Sequence, residues 1–174
     1  LNRLDLRGVA DVAAHLPRPT VDGDEPVAAV RSILAAVRDR GDDALRDYTA
    51  EFDGVTLSEL TIPAAELRAA LDSISAEERQ ALELARDRIV AHHRAQLSDP
   101  VEHDDGGVHI RSYRRPVDRV GCYVPGGRAS YPSTLLMTAV PALVAGVPEV
   151  VVCVPPDRTT GKVAPITLAA AAVA

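Results

Sequence analysis

The stretch "RVGCYVPGGRASYPSTLLM", residues 119–137, most constrains the fold, because a strand-like segment runs through two glycines directly into a helix-like segment. The helix pattern begins at Pro132 and stops at Gly146. Pro141 lies inside it and is expected to kink or restart the helix. "PEVVVCVPP" then predicts a short buried strand, since it is an unbroken run rich in β-branched residues. A strand, a crossover helix and a parallel strand form an α/β unit.

The last segment, "GKVAPITLAAAAVA", predicts a further helix that carries no polar face and no cap. One α/β unit supplies only two strands, whose edges and faces stay open. We therefore expect an α/β fold class, with a parallel-sheet domain that is truncated in this chain.

The first hundred residues are typical of helices. Gly41 is expected to stop the first of them, and an S-x-x-E capping box at Ser75 and Glu78 opens a long helix that extends to residue 97. Shorter helices are expected in "DDALRDYTAEF" and "PAAELRAALDSI", and "GVHIRSYRRP" alternates weakly as a strand. We expect a helical segment over residues 1–100 and the first part of an α/β nucleotide-binding domain over residues 101–174. The apolar face of the first helix consists of Val27, Val30, Leu34 and Val37.

The glycine loop has two interpretations. Gly126 and Gly127 let the backbone approach a ligand, and the amides of residues 132–134 at the next helix start can bind an anion. The loop is neither a G-x-G-x-x-G nor a P-loop motif, so by itself it is more typical of a tight turn before a capped helix. Tyr123 can pack against a nucleotide or be an ordinary strand aromatic, and Arg128 can meet an anion or be a solvated loop residue.

Composition excludes several classes of function. The net charge is −6 and no dense basic cluster exists, which argues against nucleic acid and against a charged membrane surface. The sequence contains no run of 18 apolar residues, so no membrane helix is predicted. Cys122 and Cys153 do not form a disulfide framework, and both are expected to be buried thiols. The adjacent His92 and His93 point about 100° apart on a helix and cannot share one metal. Because His93 follows Ile89 by four residues, core or rim packing is expected for it.

The segment "RPVDRVGCYVPGGRASYPSTLLMTAVPALVAGVPEVVVCVPP" resembles the signature region of histidinol dehydrogenases, and "VRDRGDDALRDYTAEFDG" resembles that family's N-terminal helical segment. The resemblance implies an aldehyde-dehydrogenase-like, incomplete Rossmann-type fold. It also implies NAD-dependent oxidation of L-histidinol through L-histidinal to L-histidine, a zinc ion, a cytoplasmic location and a homodimer.

Few functional residues carry over from that resemblance. The family tyrosine that contacts NAD falls on Tyr123, and Pro125 with the adjoining glycines would shape the same rim. The family's zinc ligands and its Glu-His acid/base pair match no position here. No catalytic residue and no metal ligand is therefore expected among these 174 residues, and the chain alone is expected to be inactive.

Two other functions remain open at this point. The chain could belong to a related NAD-dependent dehydrogenase of another small polar alcohol. It could also be a non-catalytic helical interaction fragment, with the long helix and the apolar tail as its partner surface.

Overall fold

A computed structural model describes residues 4–16, 24–126 and 129–174 of the chain. The chain divides into two compact units, residues 1–41 and residues 42–174. The predicted division at residue 100, between a helical segment and the first part of an α/β domain, stays a prediction. No helix within the described ranges combines the length and the apolar character needed to cross a bilayer.

The first unit contains a 3-10 turn at Ala13–His15 and helix α1, Asp24–Arg40. The predicted helix is confirmed, with Pro26 in its first turn and Gly41 at φ +58° directly after it. Such a positive φ costs glycine little, which explains why the helix stops there. The apolar face predicted for α1 exists, but Val27, Val30 and Leu34 on it are about half exposed.

The second unit begins with three helices: α2, Asp42–Tyr48; α3, Ala64–Ser73; and α4, Ala76–Arg94. A π-helical turn, Thr49–Asp53, follows α2 and stacks the rings of Tyr48 and Phe52 with centroids 5.5 Å apart. The capping box that opens α4 is confirmed: the Glu78 backbone N–H donates to Ser75 Oγ at 3.1 Å, and the Ser75 backbone N–H donates to Glu78 Oε2 at 2.9 Å. Helix α4 ends at Arg94, three residues before the predicted end.

An antiparallel hairpin connects the helical part to the α/β part. Strand β1, Val101–Asp105, pairs with β2, Val108–Ser112, and the sequence pattern had indicated only the second of them. Every residue of both strands is exposed. The sequence signal for β1 was weak because "VEHDD" contains three carboxylates, which are depleted in strands. Its pairing depends instead on cross-strand partners such as Glu102–Arg111 at 3.2 Å.

The predicted α/β unit is confirmed. Strand β3, Arg119–Tyr123, lies parallel to β4, Glu149–Cys153, and helix α5, Pro132–Val144, connects them. Helix α5 contacts both strands from one side of the sheet. The helix runs through Pro141 as one element, so it does not restart there as predicted.

Two expectations about β4 are wrong. It is not fully buried: Val150 and Val152 pack on the core, while the alternating Glu149, Val151 and Cys153 are exposed. Cys153 is therefore not a buried thiol, although Cys122 is. The physical reason is that the described residues put helices on one face of the sheet only. The other face, called the open face below, consists of Arg119, Gly121, Tyr123, Glu149, Val151 and Cys153.

The core lies where α4, α5 and the last helix, α6 (Pro165–Val173), meet the covered face of the sheet. Helix α3 packs on α6, and α4 packs on α5. Small side chains on α6, including Ala169 and Ala170 at 0% exposure, allow this close packing. The fully buried large side chains of the core are Leu135, Leu136, Val124 and Val140.

Candidate functional site

The loops after β3 and β4 lie side by side at one edge of the sheet, because the two strands are parallel. The Val124 backbone N–H donates to Cys153 O at 2.9 Å and carries the pairing one residue beyond the strands. A cavity of about 490 Å³ lies between these loops and the first turn of α6. This edge of an α/β sheet is where ligands usually bind, so the cavity is the candidate site.

Gly126 brings the two loops into direct contact. A Cβ atom at this position would lie 2.7 Å from Pro155 Cγ and 3.1 Å from Pro155 O. Real Cβ atoms do not approach that closely, so only glycine lets the β3 loop lie against the β4 loop here. The other predicted loop residues, Gly127 and Arg128, lie outside the described residues.

The β4 loop is held in shape by Asp157. Asp157 Oδ1 accepts the backbone N–H groups of Thr159 at 3.0 Å and Thr160 at 2.9 Å. The backbone of the loop closes on itself, since Gly161 N–H donates to Asp157 O at 2.7 Å and Asp157 N–H donates to Lys162 O at 3.0 Å. Gly161 has φ +67°, a conformation that glycine adopts without strain. The loop therefore fixes the backbone position of Lys162.

Among the described residues, the cavity wall carries one charge of each sign, Lys162 and Asp157. Hydrogen bonds from the Thr160 and Thr159 backbone N–H groups hold the pKa of the Asp157 carboxyl below its usual value of 3.8, so this carboxyl is ionised at neutral pH. The hydroxyl-bearing residues of the wall are Ser130, Thr160 and Thr167, and the rest of the lining is apolar or glycine. Such a wall suits an organic ligand that carries an anionic group and hydroxyl groups.

The structure separates the residues that the sequence pattern had grouped. Pro125 lines the cavity, together with Gly126. Tyr123 lies on the open face of the sheet, 67% exposed, and is paired in register with Cys153. Their roles toward a cofactor stay predictions.

One of the two interpretations of the glycine loop used the amides at the start of α5 to bind an anion. Residues 132–134 are not part of the cavity lining, and the Thr134 backbone N–H donates to Tyr131 O at 3.1 Å. The first turn of α6 borders the cavity instead.

The sequence analysis missed the β4 loop, "DRTTGK", as part of the site. A signal for it existed, because parallel strands must send both following loops to the same edge, and this loop is polar, contains glycine and directly follows the predicted strand β4.

No group of three His, Cys, Asp or Glu side chains in the described ranges is arranged to hold a metal ion. His93, which is half-buried at the rim of α4 as predicted, lies 2.7 Å (Nδ1) from Gln96 Oε1, and Gln96 Nε2 lies 3.2 Å from His92 Nε2. The two histidines are thus engaged by one amide rather than pointed at a common site.

Comparison with known proteins gives consistent results. A family model described as histidinol dehydrogenase matches residues 16–174. The histidinol dehydrogenase of Rhizobium meliloti is 46% identical over 177 residues, covering all of this chain and 40% of the relative. That of Methanosarcina barkeri is 48% identical over 155 residues, covering 87% of this chain and 36% of the relative. The chain thus spans about 40% of the length of the curated relatives it matches.

A solved structure agrees with this result. The crystal structure of histidinol dehydrogenase from Elizabethkingia anophelis superimposes with a TM-score of 0.80 at 31% sequence identity, covering 88% of this chain and 36% of that one. The likeness extends over the helical part and the α/β part together. The chain therefore belongs to the histidinol dehydrogenase family.

Proposed function

We propose that this chain forms part of an NAD-dependent histidinol dehydrogenase, which oxidises L-histidinol through L-histidinal to L-histidine in histidine biosynthesis. The observation that carries the proposal is the family match over residues 16–174, with relatives of that name at 44–48% identity. In this proposal residues 1–100 are a helical segment and residues 101–174 are the first part of the nucleotide-binding domain. The complete enzyme is a cytoplasmic homodimer.

The cavity at the carboxyl ends of β3 and β4 supports the assignment of NAD. Its volume, about 490 Å³, lies in the range of roughly 300–1,000 Å³ that is usual for sites of small molecules and cofactors. Pro125 belongs to its wall, and Tyr123 presents an exposed ring on the adjoining open face. NAD would supply the hydride acceptor for both oxidations, and in the proposal Tyr123 and Pro125 orient it.

The described residues do not offer a zinc site. Because the zinc ligands and the acid/base pair implied by the family resemblance match no position here, the proposal assigns zinc binding and the acid/base residues of the reaction to parts of the enzyme other than this chain. It follows that this chain by itself neither oxidises histidinol nor binds zinc tightly. A zinc titration of the isolated chain that gave a tight one-to-one complex at neutral pH would contradict this part of the proposal.

The direct test is to assay the full-length enzyme with L-histidinol and NAD, following NADH formation and L-histidine by chromatography. Since each oxidation transfers one hydride, two NADH are expected for each L-histidine. A panel of other small polar alcohols serves as the comparison. Turnover of one of them in place of histidinol would favour the related dehydrogenase, and no NAD reduction with any alcohol would favour a non-catalytic fragment.

A further inference from the structure

The wall of the candidate cavity carries one cation, Lys162, that has no anionic partner within the described residues. We propose that the Lys162 ammonium binds a phosphate group of the dinucleotide in this cavity. This inference rests on the proposed function, and it adds a residue that neither the sequence pattern nor the family resemblance had singled out.

The position of Lys162 is set before any ligand arrives. Asp157 and Gly161 close the loop through the hydrogen bonds described above, and the Lys162 backbone N–H also lies 3.3 Å from Thr160 Oγ1. A fixed backbone leaves only the four-carbon side chain to be ordered on binding. This lowers the entropic cost that a lysine ordinarily adds to a phosphate contact.

The other cation of the loop is directed elsewhere. Arg158 Nη2 donates to Phe52 O at 2.6 Å, which ties the guanidinium to the π-helical turn after α2, and Arg158 does not line the cavity. Lys162 is therefore the cationic side chain that this loop offers to a ligand. A compact ammonium suits the point charge of a phosphate oxygen.

Nearby carboxylates do not neutralise Lys162. Asp157 shares the cavity wall, but its Oδ1 is already engaged by two backbone N–H groups. Lys162 also lines a second cavity of about 410 Å³, whose lining includes Glu59 and Glu66, and neither carboxylate forms an ion pair with Lys162. An anion in the first cavity can therefore pair with Lys162 without displacing a carboxylate that already forms an ion pair with it.

Other groups of the cavity lining favour the phosphate of a larger ligand over a free anion. Ser130, beyond the glycine loop, adds a hydroxyl, and Gly126 keeps the backbone close without a side chain in the way. The cavity is much larger than one phosphate ion, so most of a bound ligand must be organic. Inorganic phosphate and the dinucleotide share the chemistry that Lys162 recognises, and the experiment separates them.

The test uses the full-length enzyme and measures NADH affinity by fluorescence titration, with adenosine and inorganic phosphate as competitors. Lys162→Met removes the charge and is expected to weaken NADH binding about tenfold, the typical value of a charge-assisted hydrogen bond. Lys162→Arg is expected to retain most of the affinity. The matched control, Arg158→Met, removes a charge from the same loop outside the cavity and is expected to leave NADH affinity within about twofold.

Adenosine carries no phosphate, so its competition should be the same for the wild type and Lys162→Met. Equal losses of NADH and adenosine affinity would mean a structural effect and would overturn the inference. If Lys162→Met binds NADH like the wild type while Tyr123→Ala does not, Lys162 is excluded and the proposed function stands. If the wild-type enzyme does not bind NADH, both the proposed function and the inference fail. The inference is also overturned if Lys162→Met loses competition by inorganic phosphate but binds NADH with unchanged affinity.

A second measurement does not depend on how a variant folds. Acetylation of Lys162 by a succinimidyl ester can be followed by peptide mass spectrometry on the wild-type enzyme. NADH at about ten times its Kd leaves about one tenth of the enzyme unliganded, so it is expected to slow modification at Lys162 by about tenfold, while adenosine is expected to leave it unchanged. Equal reactivity with and without NADH would overturn the inference.

Discussion

A Cβ atom at position 126 would lie 2.7 Å from Pro155 Cγ, so Gly126 and Pro155 hold the two loops of the candidate site in direct contact. Gly126→Ala must therefore push the loops apart or strain them. We expect the free energy of unfolding to fall by about 1–3 kcal/mol, as in other overpacked positions, and NAD affinity to fall with it. Urea unfolding of the variant measures the first effect.

Gly121→Ala is the matched control, because it lies on β3 and its added Cβ would meet no atom within 4 Å. A second variant, Pro155→Ala in the Gly126→Ala background, should recover part of the lost stability, because it removes the nearer of the two colliding groups. Equal stability of the two glycine variants would show that the contact is not what requires glycine at position 126.

Tyr123 is expected to act on the cofactor rather than on the substrate. Because its ring is 67% exposed, Tyr123→Ala should change stability little. In the full-length enzyme we expect KM for NAD to rise about threefold to tenfold, the typical value of one aromatic contact, with KM for histidinol changed less. Tyr113→Ala, at an exposed tyrosine after the hairpin, is the control. Equal rises in both KM values would count against the assignment.

The capping box of α4 makes a measurable contribution to stability. Ser75 Oγ accepts the Glu78 backbone N–H, and its loss in Ser75→Ala is expected to lower the free energy of unfolding by about 1 kcal/mol. Ser58→Ala removes a hydroxyl from an exposed loop and should have no comparable effect. If Ser75→Ala and Ser58→Ala unfold at the same denaturant midpoint, water replaces the capping hydrogen bond with no loss of stability.

The same box predicts a dependence on pH. Hydrogen bonds from the Ser75 backbone N–H and then from its hydroxyl hold the pKa of Glu78 below its usual 4.5. A lowered pKa in the folded state means that the carboxylate stabilises the fold above pH 4.5 and loses this effect as pH falls through the folded-state pKa. The stability difference between wild type and Glu78→Gln, measured by urea unfolding at several pH values, should therefore be full near neutral pH and shrink in acid. A difference that stays constant down to acid pH would contradict the assignment.

Helix α5 offers an adjacent pair for testing the core. Leu136 is 0% exposed and Met137 is 56% exposed. Leu136→Ala is expected to destabilise the fold by about 2–5 kcal/mol, since it leaves a cavity between α5 and its neighbours. Met137→Ala removes a side chain of similar size from the surface and should cost much less. Similar unfolding midpoints for both variants would mean that the core differs from the one described.

The sequence alone predicted the elements whose signals are local. The capping box at Ser75, the stop at Gly41 and the strand–helix–strand order around Gly126 each depend on neighbours in the chain, and each is present. The strand "VEHDD" could not be predicted in this way. Its pairing is decided by Arg111 and its neighbours across the hairpin, which local propensity does not report.

Burial and the candidate site were harder to predict, because both depend on what lies next to a residue in space. An unbroken run of β-branched residues indicated a strand covered on both faces, yet Cys153 and Val151 are exposed. In the same way, Pro125 was named only through the family resemblance of its loop, whereas Lys162 lines the cavity only because β4 lies parallel to β3. A single sequence reveals each loop separately. Which loops lie next to each other is determined by how the strands pair in the sheet.

The two strand pairs should form in a fixed order during folding. The hairpin closes over only Gly106 and Gly107, so it can form in about 1–10 μs, whereas β3 and β4 can pair only after the longer connection between them, which contains helix α5, has crossed over. Yet the early pair has no buried residue to retain it, and isolated two-stranded hairpins are marginal in water. In pulsed hydrogen exchange, the hairpin amides would thus become protected first. In the folded protein they would exchange fastest, and the amides of the slower-forming parallel pair would exchange most slowly.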